Sequence, residues 1–190
     1  MHLFLLILVG FFGSVSYVVG VWQMMNGTYE PNVFSRVVWL LLAINSFAGV
    51  VVSHSTQASI LLGGVLLVGN AAVCLVSFWK GTMGFGKLEI FCSALLAVSA
   101  LIWVLFNAPL VNLLIGLAAH FIGAIPTYKK VWADPQSESP PFWSLFLLAS
   151  ALSIIASFGS PVREIILPIY YTFFDGSMFL LSLRKRFMNK

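Results

Sequence analysis

Residues 162–183 read VREIILPIYYTFFDGSMFLLSL, and this stretch decides both the class of fold and where to look for a site. Between Leu167 and Leu183, every residue except Asp175 is apolar, aromatic, glycine or a small hydroxyl residue. A helix of that length can cross the roughly 30 Å hydrocarbon core of a bilayer. A charge at bilayer depth costs about 2.5–3.5 kcal/mol on insertion scales, so Asp175 is expected to face a bundle interior or a watery cavity.

The rest of the chain repeats this apolar pattern. Of its 190 residues, 60% are hydrophobic and only 8% are charged, which is more apolar surface than a soluble domain can bury. We predict an all-α integral membrane protein with seven transmembrane helices and short loops. The first span is expected to stay as a helix, because no Lys or Arg precedes it as in a cleaved signal. The predicted spans are Leu3–Met24, Phe34–Ser53, Ala58–Trp79, Leu88–Phe106, Pro109–Tyr128, Pro141–Phe158 and Val162–Leu183.

Basic residues predict the orientation of these spans. With the N-terminus outside, the inner segments hold nine of the ten Lys and Arg residues, and the outer segments hold only Arg163. Cytoplasmic loops carry such an excess, so we predict an outer N-terminus and a cytoplasmic C-terminus. Topology alone then explains the net charge of +4, and no nucleic-acid partner is needed. Five tryptophans are expected at the inner interface: Trp22, Trp39, Trp79, Trp132 and Trp143.

Loop lengths indicate an internal repeat. Longer loops join spans one to two and five to six, whereas the loops between spans two and three and between six and seven are very short. We predict one membrane domain over residues 1–190, arranged 3+1+3. A first three-helix repeat (1–81) and a second (109–190) flank a linker helix (82–108). An odd linker makes the two three-helix bundles parallel repeats, one of the two repeat types found in transporters.

Residues 121–139, FIGAIPTYKKVWADPQSES, carry a family resemblance. With the 3+1+3 plan, this segment resembles the PQ-loop and SWEET (MtN3/saliva-type) superfamily of small seven-helix membrane proteins, and it is similar to uncharacterised bacterial members. Thr127 stands where the family has the Gln of its Pro-Gln pair, and Val18 stands near the position that matches Pro126. The resemblance implies small-solute transport, and we expect the plasma (inner) membrane of a bacterium.

Four polar side chains share one depth in the spans. Asp175, Asn70, His120 and Asn45 each lie nine residues from a basic residue or tryptophan at the inner end of a span. Nine helical residues rise about 13.5 Å, close to the middle of a bilayer. We predict that these four bind the substrate, and that Asp175 can instead carry a proton with His120 as its partner. Alternatively, such residues only tie helices together. No other cation is expected at this depth, which favours neutral or cationic solutes.

Pro126 interrupts span five and removes a helical hydrogen bond, so it is a hinge candidate, with a static kink as the alternative. We expect a transporter that moves a small polar solute by alternating access, with no enzymatic activity, cofactor or metal. The chain has no HExxH motif and no pair of aspartates within its spans. The expected partners are the solute, protons if transport is coupled, the lipid bilayer and a second copy of the chain. The alternative is a non-transporting protein, either receptor-like or an accessory subunit.

Overall fold

All secondary structure in the described part of the chain is helical. A computed structural model describes residues 2–29, 31, 33–81, 86–106, 108–135 and 138–188. Each predicted span overlaps one helix, which confirms an all-helical chain of seven helices over these residues. The helices are α1 (His2–Met25), α2 (Val33–Val52), α3 (Gln57–Lys80), α4 (Lys87–Phe106), α5 (Pro109–Ala133), α6 (Pro140–Ala156) and α7 (Val162–Met188).

Length and composition make this an integral membrane protein. Within the described residues, four helices are long and apolar enough to cross a membrane, and they belong to α1, α3, α5 and α7. The α1 and α3 segments have 24 residues each, which is about 36 Å of helix against a core of about 30 Å. Shorter apolar helical stretches occupy Arg36–Val52 in α2 and Pro140–Ala156 in α6.

Local sequence signals set where several helices begin. The Thr56 side chain accepts a hydrogen bond from the Ser59 backbone N–H and caps the start of α3. The Ser139 side chain does the same for the Phe142 N–H at the start of α6. Proline stands in the first turn of α5 and of α6, where a helix does not need its missing N–H. The short loops are therefore encoded by capping residues and prolines.

Two groups of three consecutive helices can be defined, each joined by its third member. Helix α3 contacts both α1 and α2, and α7 contacts both α5 and α6. Among the described residues, α1 does not contact α2, and α5 does not contact α6. The two sets, called the first triplet (α1–α3) and the second triplet (α5–α7), meet mainly where α1 packs on α6 and α2 packs on α5. Helix α4 lies outside, against α5 and α2.

Glycines allow the closest of these approaches. A Cβ atom at Gly69 in α3 would lie 1.9 Å from the ring of Tyr17 in α1, so only glycine fits beside that ring. Gly20 in α1 similarly leaves room for the ring of Phe142 in α6, which would come within 3.0 Å of an added Cβ. Small residues at such positions let membrane helices approach closely. The position of Tyr17 therefore depends on the absence of a side chain at Gly69.

Two prolines lie inside the long helices of the second triplet. Helix α5 continues through position 126, so the hinge assignment of Pro126 stays a prediction. Helix α7 continues through Pro168, which has no N–H to donate to the Glu164 carbonyl one turn earlier. The Ser59 hydroxyl of α3 donates to that carbonyl at 2.9 Å. A side chain from the first triplet thus replaces the hydrogen bond that the proline removes from the second, as neighbouring helices do in membranes.

Ser59→Ala should lower the free energy of unfolding by about 1–3 kcal/mol, because the Glu164 carbonyl loses a donor that its own helix cannot supply. Pro168→Ala restores the helical N–H. In that background, Ser59→Ala should therefore cost clearly less, about 1 kcal/mol or below. Unfolding in mixed micelles, titrated with a denaturing detergent, measures all four proteins of this cycle. Equal costs of Ser59→Ala in both backgrounds would contradict the link between the serine and the proline.

Candidate functional site

A cavity of about 20 Å³ lies where the two triplets meet. This is room for about one water molecule. Three of the four predicted site residues, Asn70, His120 and Asp175, line it, and each comes from a different helix. Aromatic side chains make up most of the remaining wall: Trp39, Phe142, Trp143, Phe146, Tyr171 and Phe174.

Asp175 is 2% exposed and lies in the middle of α7. Its Oδ2 atom accepts a hydrogen bond from the Ser150 hydroxyl of α6 at 3.3 Å. Hydroxyl–oxygen bonds are usually near 2.7–2.8 Å, so this bond is long and weak. A carboxylate offers about four acceptor positions, so most of the hydrogen-bonding capacity of Asp175 stays available toward the cavity.

Asn70 is held in place by the first triplet. Its side-chain nitrogen donates to the Tyr17 hydroxyl of α1 at 2.7 Å and to the Leu66 carbonyl of α3 at 2.8 Å. The Tyr17 hydroxyl also lies 3.3 Å from the Leu66 carbonyl and donates to it. These bonds use the two donors of the amide, so its carbonyl oxygen is the group left for a ligand. Tyr17 lines the cavity too. It was missed from the sequence, although it lies eight residues from the end of α1, close to the depth of the other four.

His120 sits in an aromatic cluster at the junction of α2, α5 and α7. Its ring stacks on Trp39 at 5.2 Å between centroids and meets Phe174 edge-on at 4.8 Å. The Nδ1 atom is hydrogen-bonded to the Tyr170 hydroxyl at 2.8 Å. Either atom can be the donor, depending on the tautomer of the ring. His120 is thus oriented by Tyr170 and presents its ring, flanked by aromatics, to the cavity.

Asn45 shares the depth of the other predicted residues but not their cavity. Its Oδ1 atom accepts a hydrogen bond of 2.9 Å from the side-chain nitrogen of Asn112 in α5. In the part of the chain that the structure describes, the Asn45 nitrogen and the Asn112 oxygen have no further partner, although both are buried. This amide pair ties α2 to α5. The structure therefore separates Asn45 from Asn70, His120 and Asp175.

A cation that the sequence placed only at the inner end of a span also lines this cavity. Arg36, in the first turn of α2, is 5% exposed and lines the cavity. Its guanidinium carbon lies 4.6 Å from the Trp39 ring centre and 5.4 Å from that of Tyr29. From the sequence, Arg36 was counted only as a topological charge at the end of a span. Stacking on two rings keeps it inside instead.

Glu138, in the segment between α5 and α6, balances this buried cation. It is 7% exposed, and its Oε1 atom lies 4.0 Å from the ammonium nitrogen of Lys130. Burial raises the pKa of the Glu138 carboxyl, while the positive charges of Arg36 and Lys130 partly oppose that rise. The resulting charge cluster joins the start of α2 to the connection between α5 and α6, so it links the two triplets.

Two of the five tryptophans expected at the membrane interface are buried inside the bundle. Trp39 and Trp143 are buried and form part of the cavity wall. Trp22, Trp79 and Trp132 are all more than half exposed, as interface anchors would be. Trp39 lies in the second turn of α2 and Trp143 in the first turn of α6, and both line the cavity.

Glu138 should make stability depend on pH. Its pKa in the folded protein is raised, so its contribution to stability is fully present below the unfolded pKa of about 4.3 and is lost as the pH rises through the folded value. Glu138→Gln mimics the protonated acid. The unfolding temperatures of wild type and variant in detergent should therefore be close at low pH, and the wild type should fall below the variant toward pH 7. A wild type that gains on the variant with rising pH would contradict this.

Comparison with known proteins identifies no relative of this chain. No protein-family model matches the chain, and neither a curated protein nor a solved structure matches it.

Proposed function

We propose that this protein is a transporter that moves a small polar solute across a membrane by alternating access. The observation that carries the proposal is the cavity between the triplets, lined by Asn70, His120 and Asp175. Transporters built from repeats bind their substrates near the bilayer midplane, at the interface between the repeats. A buried carboxylate with spare acceptor capacity is costly in a membrane, and it is usually kept where it has a function.

The proposed architecture is seven spans in a 3+1+3 arrangement. Exchanging α1 with α5, α2 with α6 and α3 with α7 turns every contact between the triplets, and every contact within them, into another observed contact. Helix α4 has no counterpart, as a linker helix would not. Asn70 of α3 and Asp175 of α7 take equivalent places in such a pair of repeats. This pattern supports two parallel repeats in which one amide has diverged to an acid.

The proposed location is the plasma (inner) membrane of a bacterium, with the N-terminus outside and the C-terminus in the cytoplasm. This orientation rests on the basic residues at the inner ends of the spans. It puts the N-terminal ends of α3 and α7 on the outer side and those of α2 and α6 on the inner side. A second copy of the chain is an expected partner, and the two triplets of one chain already enclose the cavity.

Alternating access requires that each end of the cavity can open. At the outer end, the triplets are joined by uncharged bonds: Ser59 to the Glu164 carbonyl, and the Thr56 hydroxyl to the Ser157 hydroxyl at 2.7 Å. Each such bond contributes about 0.5–1.5 kcal/mol, so this end can separate at low cost. The inner end is held by the Arg36 and Glu138 cluster. A cavity of about 20 Å³ is too small for a solute, so the proposal requires the triplets to move apart before a solute can enter.

A non-transporting role, receptor-like or as an accessory subunit, is the second candidate. One observation favours it: Asn70 and His120 are both hydrogen-bonded to tyrosines, as side chains that merely tie helices together would be. Such a protein needs no opening of the cavity. Reconstitution separates the two candidates, because only a transporter exchanges solute across vesicles that contain no other protein.

Asp175→Ala should abolish exchange of solute in vesicles reconstituted with the purified protein, because the site loses its acid. Asp175→Asn should keep downhill exchange but end accumulation driven by a pH gradient, if the acid carries the proton. The measurement is counterflow of labelled D-glucose, L-alanine, L-lactate and ethanolamine. Ser182→Ala is the control, since this buried serine of α7 lies outside the cavity and bonds to the Phe179 carbonyl of its own helix at 2.7 Å.

Two results would count against the proposal. If both Asp175 variants exchange solute at the wild-type rate, the carboxylate is not part of the site. If the folded wild type exchanges none of the labelled compounds and none of a broader set of sugars, amino acids and amines, the non-transporting role is favoured.

A further inference from the structure

We infer that the solute is a small zwitterion, with its cationic group bound by Asp175 and its anionic group bound by Arg36. The inference rests on the proposed transport function and names the chemical class of its substrate. It starts from the cavity between the triplets, whose wall holds a carboxyl group, Asp175, and a guanidinium group, Arg36. Both lie in the described part of the chain, and they form no ion pair with each other. The cavity therefore has two separate poles.

Arg36 provides the pole for an anion. Its guanidinium carbon lies over the rings of Trp39 and Tyr29, at 4.6 Å and 5.4 Å from their centres. Stacking covers the faces of a guanidinium and leaves its edge, which carries five N–H donors and no acceptor. That edge forms paired hydrogen bonds with a carboxylate or another planar oxyanion. A cation held in this way at the wall of a cavity is suited to binding the acidic group of a solute.

Asp175 provides the pole for a cation. Its only bond from a neighbouring side chain, within the described residues, is the weak one from Ser150, at 3.3 Å. The Asn70 oxygen is a second acceptor on the same wall, since the donors of that amide are already used. An ammonium group has only donors, so it matches this pair of acceptors. Phe174 and Tyr171 lie beside them, and aromatic faces add to the binding of a cation.

The two poles together favour a zwitterion over other solutes. A neutral sugar would offer no charge to either group. A solute with one charge would match only one pole. A molecule that carries both charges can form charge-assisted hydrogen bonds at both poles, and such bonds are about twice as strong as neutral ones. The aromatic part of the cavity wall suits a small apolar side chain, as in an α-amino acid with a short aliphatic side chain.

Binding to the purified full-length protein tests this, with the fluorescence of Trp39 and Trp143 as the readout, since both line the cavity. The probes are L-alanine, L-lactate, which lacks the amine, ethanolamine, which lacks the acid, and D-glucose. L-Alanine should bind at least about tenfold more tightly than each of the other three, because a hydrogen-bonded charge contributes that much. Arg36→Gln should weaken L-alanine and L-lactate but not ethanolamine. Asp175→Asn should weaken L-alanine and ethanolamine but not L-lactate.

Arg36 also faces Glu138, so its loss can act through folding alone. The double variant Arg36→Gln with Glu138→Gln separates the two roles, because it removes both buried charges together, and Lys130, which loses Glu138, is half-exposed. It should unfold at a temperature close to that of the wild type and still fail to bind L-alanine. Recovery of L-alanine binding in this stable double variant would overturn the assignment of Arg36.

Counterflow distinguishes failure of the substrate class from failure of the transport function. Exchange of L-alanine but not D-glucose supports the inference. Exchange of D-glucose without L-alanine overturns the zwitterion and leaves the transporter standing. Absence of exchange for every probe, in vesicles that contain folded protein, overturns both.

Discussion

The acidic side chain of Asp175 has to be kept away from hydrocarbon. It is buried where the two triplets pack together. Helix α7 is apolar on both sides of the acid, so the chain cannot move Asp175 to a membrane surface without withdrawing the whole helix. Ser150, Asn70, His120 and the aromatic residues around them create a small polar space inside the bundle instead. The packing of the helices thus follows from where one charge must lie.

Hydroxyl side chains form hydrogen bonds to backbone groups inside the bundle. Ser59 supplies the bond that Pro168 removes from α7, and Thr56 caps α3 while reaching Ser157. Ser16 of α1 donates to the Phe142 carbonyl of α6 at 2.8 Å, in the contact between the triplets. Each bond satisfies a backbone group or a cap and also joins helices that are distant in sequence. The same few side chains therefore satisfy backbone hydrogen-bonding groups and hold the helices together.

Local properties of the sequence were enough to predict the seven helices and part of the site. Apolar length and capping residues are local, and the rise per residue of a helix is fixed, so counting from the span ends brought Asn70, His120 and Asp175 to one depth. The same count included Asn45, although this side chain is hydrogen-bonded to Asn112 instead. The depth of a residue along a helix does not show which way its side chain points. The burial of Arg36 was missed since it depends on how its side chain stacks on Trp39 and Tyr29, which is a matter of packing. Tyr17 lies over Gly69, a contact that only the packing of α1 on α3 reveals.

The position of the third helix within each triplet has a consequence for how the protein is made. Helices α1 and α2 are consecutive in the chain, yet within their triplet, among the described residues, each contacts α3 and not the other. A ribosome delivers helices in order, so α1 and α2 must wait in the lipid until α3 arrives between them. The same applies to α5 and α6 until α7 is inserted. Assembly is thus expected in two late steps, and the polar cavity is completed only when the last helix enters the bilayer.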